Sequence, residues 1–463
     1  MDGCPDEVLL KICNRLDFKD VANLRRVNKH LAEVGAEALV KRVRFHCSQE
    51  SLERLHAIAN HDVFNKYVDT VVFEGNILAN VGCIHTYTAH YKLDHHNNDR
   101  PQPPGKNATA RERRLYERNV AKFNHDMMVK YERYRNFYDR QQKVLKSTAY
   151  DDLISPSIPC FPRLENIVLS TIGRCKHVLS KRFLEMFAVD CAMPPESDTK
   201  YTKEQLKHLL FPRGEPLTTL RSLEVNVVSP KFFAGYLPRD LMCQAFQNLK
   251  IINLNFRLEK DDRYDLEYLT ADSCYKGLNE GHLRAALAAA EGLQDLTINF
   301  DDFGFFGACT DIKHVLGDHS WPNLDTLDLD CMSATEDNLL SMLKRQPALR
   351  SLKLGFITLE EGRWPTATLQ MRRDLKLTKF AAHGFLEDPD QMYPMHFIDA
   401  EAYLVDFTHS TLDAALDVYV TDSFDESDDY HPLEDTEFAD PEDVREEYGP
   451  FDDSEFSDMD CSD

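Results

Sequence analysis

Leu324-Asp325-Thr326-Leu327-Asp328-Leu329 is one copy of a six-residue phrase that decides the fold of most of this chain. Five more copies share its leucine-x-x-aliphatic-x-aliphatic pattern, and they start at Leu164, Leu220, Leu249, Leu293 and Leu349. A weaker copy starts at Val68. A single copy is weak evidence, because any half-buried strand can supply one. Six copies that alternate with helical segments predict an α/β repeat architecture.

Helical segments are predicted between these strands, at Lys181–Val189, Lys203–Leu210, Gly281–Ala290 and Ser333–Lys344. The last opens with Ser333-x-x-Glu336, the pattern of a capping box. Such a unit resembles the leucine-rich repeat, in which the phrase forms a strand and the remainder returns as a helix. The six phrases start 56, 29, 44, 31 and 25 residues apart. The resemblance therefore implies an irregular solenoid over residues 151–421.

Side chains between the aliphatic positions of each phrase would lie in rows on the concave face of such a solenoid. These rows predict a substrate-binding surface made of Glu224, Asn226, Asn253, Asn255, Thr297, Asn299, Asp328, Asp330 and Lys353. The surface is polar, and it becomes acidic toward its C-terminal half. It favours a basic or hydrogen-bonding peptide as ligand, and the alternative is an ordinary solvated strand surface.

The first 45 residues predict a small all-helical module. A helix over Cys4–Leu16 is opened by Pro5 with acidic residues in its first turn, and a second apolar stripe follows from Asp17. The order Pro-x-Glu-Val-Leu-x-x-Ile-x-x-x-Leu, followed by Asp-Val-x-x-Leu-x-x-Val-Asn-Lys-x-Leu, closely resembles the F-box. One departure is Cys4, which stands where that family usually has leucine.

The F-box resemblance implies docking on a Skp-type adaptor and, through it, on a cullin scaffold. Carried over by position, the adaptor-binding residues would be Pro5, Val8, Leu9, Ile12, Leu16, Leu24, Val27 and Leu31. F-box proteins of filamentous fungi resemble the chain over most of its length. The alternative for the module is a helix-turn-helix DNA reader using Arg25, Arg26, Lys29, Lys41, Arg42 and Arg44. The formal net charge of −24 opposes it.

Residues 46–105 are predicted to hold a helix at Ser51–His61, a strand at Tyr67–Phe73 and then a polar loop. Ligand types for zinc lie close together there at Cys83, His85, His90, His95 and His96, but their spacing fits no strong zinc pattern, and we predict no metal. Residues 106–150 predict one long amphipathic helix. Residues 106–146 carry twelve basic and five acidic side chains among tyrosines, which leaves RNA binding as an alternative to a solvated helix face.

Composition sets the remaining limits. Residues 422–463 hold 19 acidic side chains and one basic one, which predicts a disordered acidic tail. We find no apolar run of membrane-spanning length, no secretory signal, and twelve scattered cysteines of the kind kept reduced in the cytosol or nucleus. No phosphate-binding loop, nucleophile elbow or His-Glu-x-x-His motif is present, so we predict neither catalysis nor a cofactor.

Together these features favour a non-catalytic substrate-recognition adaptor of a Skp–cullin–F-box (SCF) type ubiquitin ligase. The F-box would dock on the Skp-type adaptor, while the repeats hold an unknown substrate protein for ubiquitin-dependent degradation. The alternative is a repeat-based scaffold or transcription regulator that acts without a ligase and uses the acidic tail as its output. Neither reading involves a membrane, and nucleic acid is not the expected partner.

Overall fold

The computed structural model describes ten stretches of the chain, which are residues 4–16, 18–88, 101–105, 108–171, 199–234, 237–257, 278–300, 310–389, 395–397 and 405–406. The acidic segment 422–463 and the predicted helix Lys181–Val189 lie outside these residues, as do His90, His95 and His96. Within the described residues, no helix is both long enough and apolar enough to cross a bilayer.

Four helices lie near the N-terminus: α1 (Asp6–Cys13), α2 (Phe18–Leu24), α3 (Lys29–Val40) and α4 (Gln49–Ala59). The predicted helices are therefore present, but the second apolar stripe is split in two. Asn28 ends the run, because its side-chain oxygen accepts a hydrogen bond from the Leu31 backbone N–H at 2.8 Å and so caps α3.

A mixed α/β architecture follows, built on one sheet whose strands succeed one another nearly in chain order. Within the described residues the sheet has twelve strands. They are β1 (Arg42–His46), β2 (Thr70–Glu74), β3 (Asn166–Ser170), β4 (Ser222–Val228), β5 (Ile251–Phe256), β6 (Asp295–Phe300), β7 (Thr310–Asp311), β8 (Thr326–Thr335), β9 (Ser351–Glu361), β10 (Lys379–Glu387), β11 (Met395–Phe397) and β12 (Val405–Asp406). Pairing from β1 to β10 is parallel, while β11 and β12 each pair antiparallel with β10.

The six phrases form strands β3, β4, β5, β6, β8 and β9, as predicted, and the weaker copy forms β2. Their aliphatic positions stay in register across the sheet, so that the fourth residues of the phrases lie side by side: Ile167, Leu223, Ile252, Leu296, Leu327 and Leu352. Each of these side chains is buried in a single apolar core that runs from Val40 to Leu386. The repeated phrase is thus the inward-facing stripe of a continuous parallel sheet.

Strands β1 and β10 extend the same register beyond the phrases. Val43 pairs with Val71 of β2, and Phe380 pairs with Leu352 of β9. Both strands follow the spacing of the phrase, as Val40-x-x-Val43-x-Phe45 and Leu377-x-x-Phe380-x-Ala382. Sequence inspection missed them because valine, phenylalanine and alanine replace most of the leucines, although spacing alone would have found them.

Helices fill the segments between strands. The longer ones after β3 in the described residues are α6 (Thr199–Leu210), α7 (Arg239–Phe246), α8 (His282–Ala289), α9 (Glu336–Lys344) and α10 (Trp364–Asp374). Two short helices, Ser155–Ser157 and Ile312–Val315, also lie between strands. The predicted capping box at Ser333 is wrong. Ser333 lies in β8, where its hydroxyl donates to Glu360 Oε1 at 2.8 Å, and Thr335 caps α9 by accepting from the Asn338 N–H at 3.2 Å.

Two left-handed residues lie side by side in the middle of β8 and β9. Cys331 and Phe356 occupy equivalent positions there, and both have left-handed backbone, with φ of 58° and 47°. Pairing resumes beyond them at Met332 and Ile357, and β7 adds to the second half of β8. Left-handed backbone costs energy for a residue other than glycine, so the two neighbouring strands carry this strain at equivalent positions.

The long helix α5 (Ala110–Lys146) confirms the predicted amphipathic helix, and Thr109 with Glu112 forms its capping box. Its C-terminal half packs on residues 77–88, where Met127 and Tyr134 join Leu78, Val81 and Tyr87 in a second, smaller core. No residue of 110–122 is buried. Among these first turns of α5, Leu115 is 53% exposed, while Tyr116 and Val120 are half-buried.

Candidate partner-docking surface

Helix α1 has two apolar faces that receive different surroundings. Leu9 and Cys13 are buried, each about 2% exposed, and α1 packs on α3. Val8 and Ile12 lie one turn apart on another face and are 44% and 40% exposed, and Leu16, just after the end of α1, is 39% exposed. Large apolar side chains gathered on one exposed face are a common mark of a protein-interaction surface.

Val27 adds to the exposed apolar surface from the turn between α2 and α3. It is 67% exposed, while its neighbours Val21 and Leu31 are buried. Arg25 holds this turn, because its Nε donates to the Ala32 carbonyl oxygen at 2.9 Å and its guanidinium lies over the Phe64 ring at 4.5 Å. The turn that contains Val27 is thus held by contacts of Arg25 with α3 and with Phe64.

The eight predicted adaptor-binding residues therefore fall into two groups. Pro5, Val8, Ile12, Leu16 and Val27 are exposed and Leu24 is half-buried. Leu9 and Leu31 are buried, each 2% exposed, on α1 and α3, which pack on each other. Helical spacing alone could not separate the groups, since both faces of α1 are apolar. Adaptor docking itself stays a prediction, which we now place on the exposed members, and we call Val8, Ile12 and Leu16 the exposed stripe.

Three of the six basic residues of the DNA-reading alternative are engaged within the protein. Arg25 makes the contacts described above, Lys41 Nζ lies 3.5 Å from Asp69 Oδ2, and Arg44 Nη1 lies 4.0 Å from the buried Glu74 carboxylate. Side chains held in such contacts are poorly placed to neutralise phosphates. The structure therefore gives less support to DNA binding by this module than the sequence did.

The helical module continues directly into the large sheet. Lys41 follows α3, and its carbonyl oxygen accepts the N–H groups of Asp69 and Thr70 at 3.0 and 3.2 Å. On β1, Phe45 stacks on Phe73 of β2 with ring centroids 4.5 Å apart, and both rings are buried. The exposed stripe therefore belongs to a helical module that continues directly into β1, a strand of the sheet.

Residues 4–46 match the F-box-like family. The match spans the three helices α1 to α3 and ends at His46, the last residue of β1. We call this region the F-box-like domain, and its presence supports an F-box protein. No curated protein matches the chain. Strand β1 is thus part of both the F-box-like domain and the sheet.

The nine predicted substrate-binding residues also divide by exposure. Five are nearly closed to solvent, at 3 to 8% exposure: Asn226, Asn253, Asn255, Asn299 and Asp330. Asn255 Nδ2 donates to the Val225 carbonyl oxygen at 3.3 Å and to Asn253 Oδ1 at 3.1 Å, so this pair braces the sheet. Glu224, Thr297, Asp328 and Lys353 are half-buried, and Lys353 Nζ lies 3.4 Å from Asp328 Oδ2. Substrate binding here stays a prediction, carried by these four residues.

The nearest approach to a catalytic constellation joins Ser155, His208 and Asp151. Ser155 Oγ lies 2.8 Å from His208 Nδ1, but Asp151 Oδ1 lies 3.7 Å from that same nitrogen. A nucleophile relay needs serine and carboxylate on opposite nitrogens of the ring. Ser155 is also buried. We therefore assign this cluster to packing around Tyr150, whose ring meets the His208 ring edge-on.

The predicted polar loop contains Cys83 and His85 of the five candidate zinc ligands. Cys83 Sγ lies 3.4 Å from Thr86 Oγ1, a contact that lowers the thiol pKa. Across the described residues, no three metal-ligating side chains come together. The other three histidines of this set lie outside that part of the chain.

Proposed function

We propose that the chain is a substrate-recognition adaptor of an SCF-type ubiquitin ligase, with the exposed stripe of the F-box-like domain docking on a Skp-type adaptor. The observation that supports this most is the exposure of Val8, Ile12 and Leu16 on a domain that matches the F-box-like family over residues 4–46. Burying such side chains against a partner removes apolar surface from water, the dominant favourable term in association.

In this proposal, the parallel sheet with its helical returns is an irregular solenoid of the leucine-rich-repeat type that holds the substrate. The mechanism is positioning, because a tethered substrate has a high effective concentration at the site of ubiquitin transfer. Continuity between the F-box-like domain and the sheet supports such a mechanism, since it limits how far the two surfaces can move apart. A ligase subunit of this kind would act in the cytoplasm or nucleus.

Co-purification with a recombinant Skp-type adaptor tests the proposal. We expect the Val8→Asp plus Ile12→Asp double variant to lose at least 90% of the captured adaptor, because each carboxylate would be desolvated at an apolar interface. Its circular dichroism should stay unchanged, since both positions are exposed. Leu9→Asp is unsuitable as a docking test, because Leu9 is a core residue whose change would unfold the domain.

The matched control is Leu115→Asp plus Met128→Asp, which places the same charges on exposed apolar positions of α5. This control should retain the adaptor. Full adaptor capture by the Val8 and Ile12 double variant would contradict the docking assignment, and it would favour the ligase-independent scaffold instead.

A further inference from the structure

A groove of about 580 Å³ lies between the first turn of α4 and the last three turns of α5. Cys47, Phe137 and Val144 contribute its apolar surface, while Arg140 and Lys143 line it from α5 and Glu50 from α4. Its volume falls in the range of pockets that hold small molecules or a few peptide side chains. The α5 side of this groove lies outside the F-box-like domain and outside the predicted substrate-binding residues of the sheet.

The floor of the groove is uncharged. Cys47 is 1% exposed, and the Tyr150 hydroxyl donates to its sulfur at 3.3 Å. Burial raises the pKa of Cys47 to about 12, so the group is a neutral thiol at physiological pH rather than a nucleophile. With Val144 and the half-buried Phe137 it forms an apolar base for a ligand.

Most neutral polar groups around the groove are already satisfied. The Gln141 amide accepts from the Leu78 N–H at 2.8 Å and donates to the Asn76 carbonyl oxygen at 3.1 Å. Ser48 Oγ accepts from the Ser51 N–H at 3.3 Å and lies 3.2 Å from His46 Nε2. Recognition of a ligand therefore falls to the charged groups of the rim.

Two cations of that rim are available. Arg140 and Lys143 are exposed, and neither forms an ion pair with any residue of the described stretches. They are three positions apart on α5, so they extend from the same side of the helix. Both line the groove together with Phe137 and Val144, and Glu50 lines it from the α4 side.

We propose that this groove binds a peptide segment in which an anionic side chain, phosphoserine or glutamate, is flanked by an apolar side chain. The cations hold the anion through charge-assisted hydrogen bonds, and the apolar neighbour rests on Phe137 and Val144. This inference names a substrate class and so rests on the proposed adaptor function. A nucleic acid fits less well, because the floor is apolar and the cations are few.

Fluorescence anisotropy with the purified full-length chain tests the groove. The probes are labelled nine-residue Ala/Gly peptides with the centres Leu-phosphoserine-Leu, Leu-Glu-Leu, Leu-Ser-Leu and Ala-phosphoserine-Ala. We expect the first to bind most tightly and the third at least tenfold more weakly. Arg140→Gln plus Lys143→Gln should weaken the first at least tenfold. Phe137→Ala should weaken the leucine-flanked phosphopeptide more than the alanine-flanked one.

Arg118→Gln plus Lys122→Gln is the matched control, since it removes the same charge from exposed positions on the same helix outside the groove. Equal weakening by the two double variants would reduce the effect to general electrostatics and overturn the proposal. Equal binding of the serine and phosphoserine peptides, or no binding at 1 mM peptide, would overturn it too. A third result would also overturn the proposal: a single-stranded RNA that binds more tightly than every peptide and whose binding is lost in the Arg140→Gln plus Lys143→Gln variant.

The outcome is separable from that of the adaptor test. Peptide binding is measured without the Skp-type adaptor, so failure of docking through Val8 and Ile12 leaves the anisotropy result readable. Conversely, the Arg140 and Lys143 double variant should still capture the adaptor fully, because both residues lie outside the F-box-like domain.

Discussion

Replacing Phe45 by alanine tests whether the F-box-like domain is physically part of the sheet. Phe45 lies within the family match, yet it is 1% exposed, stacks on Phe73 at 4.5 Å and belongs to the large core. Truncating a buried phenylalanine to alanine costs about 3–5 kcal/mol. Because Phe45 also loses a stacked ring, we expect the upper half of that range.

The assay is amide hydrogen exchange on the full chain. Each strand contacts mainly its neighbours, so the loss of stability should be local and should decay along the sheet. Amides of α3, β1 and β2 should exchange roughly a thousand-fold to several thousand-fold faster, which is a cost of about 4–5 kcal/mol converted to an opening equilibrium. Trp321 and Trp364 are the only two tryptophans, and both are fully buried far along the chain. Their fluorescence midpoint in urea should shift less than the exchange data imply.

Leu115→Ala is the control, because Leu115 is 53% exposed and its truncation should change stability by less than about 0.5 kcal/mol. Faster exchange confined to α1 to α3, with β2 unchanged in the Phe45→Ala variant, would refute the reasoning. The F-box-like domain would then fold independently of the sheet, and positioning through a continuous junction would lose its support.

Two further predictions concern a buried histidine and an exposed glycine. The pKa of His208 is lowered, mainly by burial and against an opposing effect of Asp151, so the unfolded chain binds its proton more readily. The free energy of unfolding should therefore fall as pH drops below the ordinary histidine pKa of about 6.5. Between pH 8 and 5, the urea midpoint of the His208→Gln variant should fall less than that of the unchanged chain. Equal falls of the two midpoints would contradict this. Gly362 has φ of 97°, and an added Cβ would lie 2.3 Å from Glu336 Cβ. Gly362→Ala should cost about 1–3 kcal/mol in thermal unfolding, whereas Gly292→Ala, whose Cβ would meet nothing within 4 Å, should be nearly neutral; equal effects would be inconsistent with strain.

Secondary structure was largely predictable because the repeated phrase has a period of its own. Six leucine-rich phrases specify six strands whatever their neighbours are, and the segments Lys203–Leu210 and Gly281–Ala290 correspond to α6 and α8. The errors occurred where a local pattern competed with pairing. Ser333 resembled a helix cap, but its backbone pairs with Thr358 of β9, so strand formation prevailed over capping.

Candidate site residues were harder to assign, since a pattern identifies apolar or polar positions but not what covers them. Leu9 and Ile12 are equivalent in the sequence of an amphipathic helix, and only the packing of α1 on α3 buries one and exposes the other. Asn255 and Lys353 were both predicted to face a ligand. The side-chain amide of Asn255 instead donates hydrogen bonds to Val225 and Asn253, whereas Lys353 is half-buried.

The sequence by itself determined the α/β character of this chain, the F-box-like helices at its start and the basic helix before the repeats, because these depend on periodicities within one segment. Tertiary structure alone decided which apolar face stays exposed, that β1 joins the F-box-like domain to the sheet, and that Arg140 and Lys143 line one groove with Phe137 and Val144. Those outcomes depend on contacts between segments distant in the chain, and no local period encodes them.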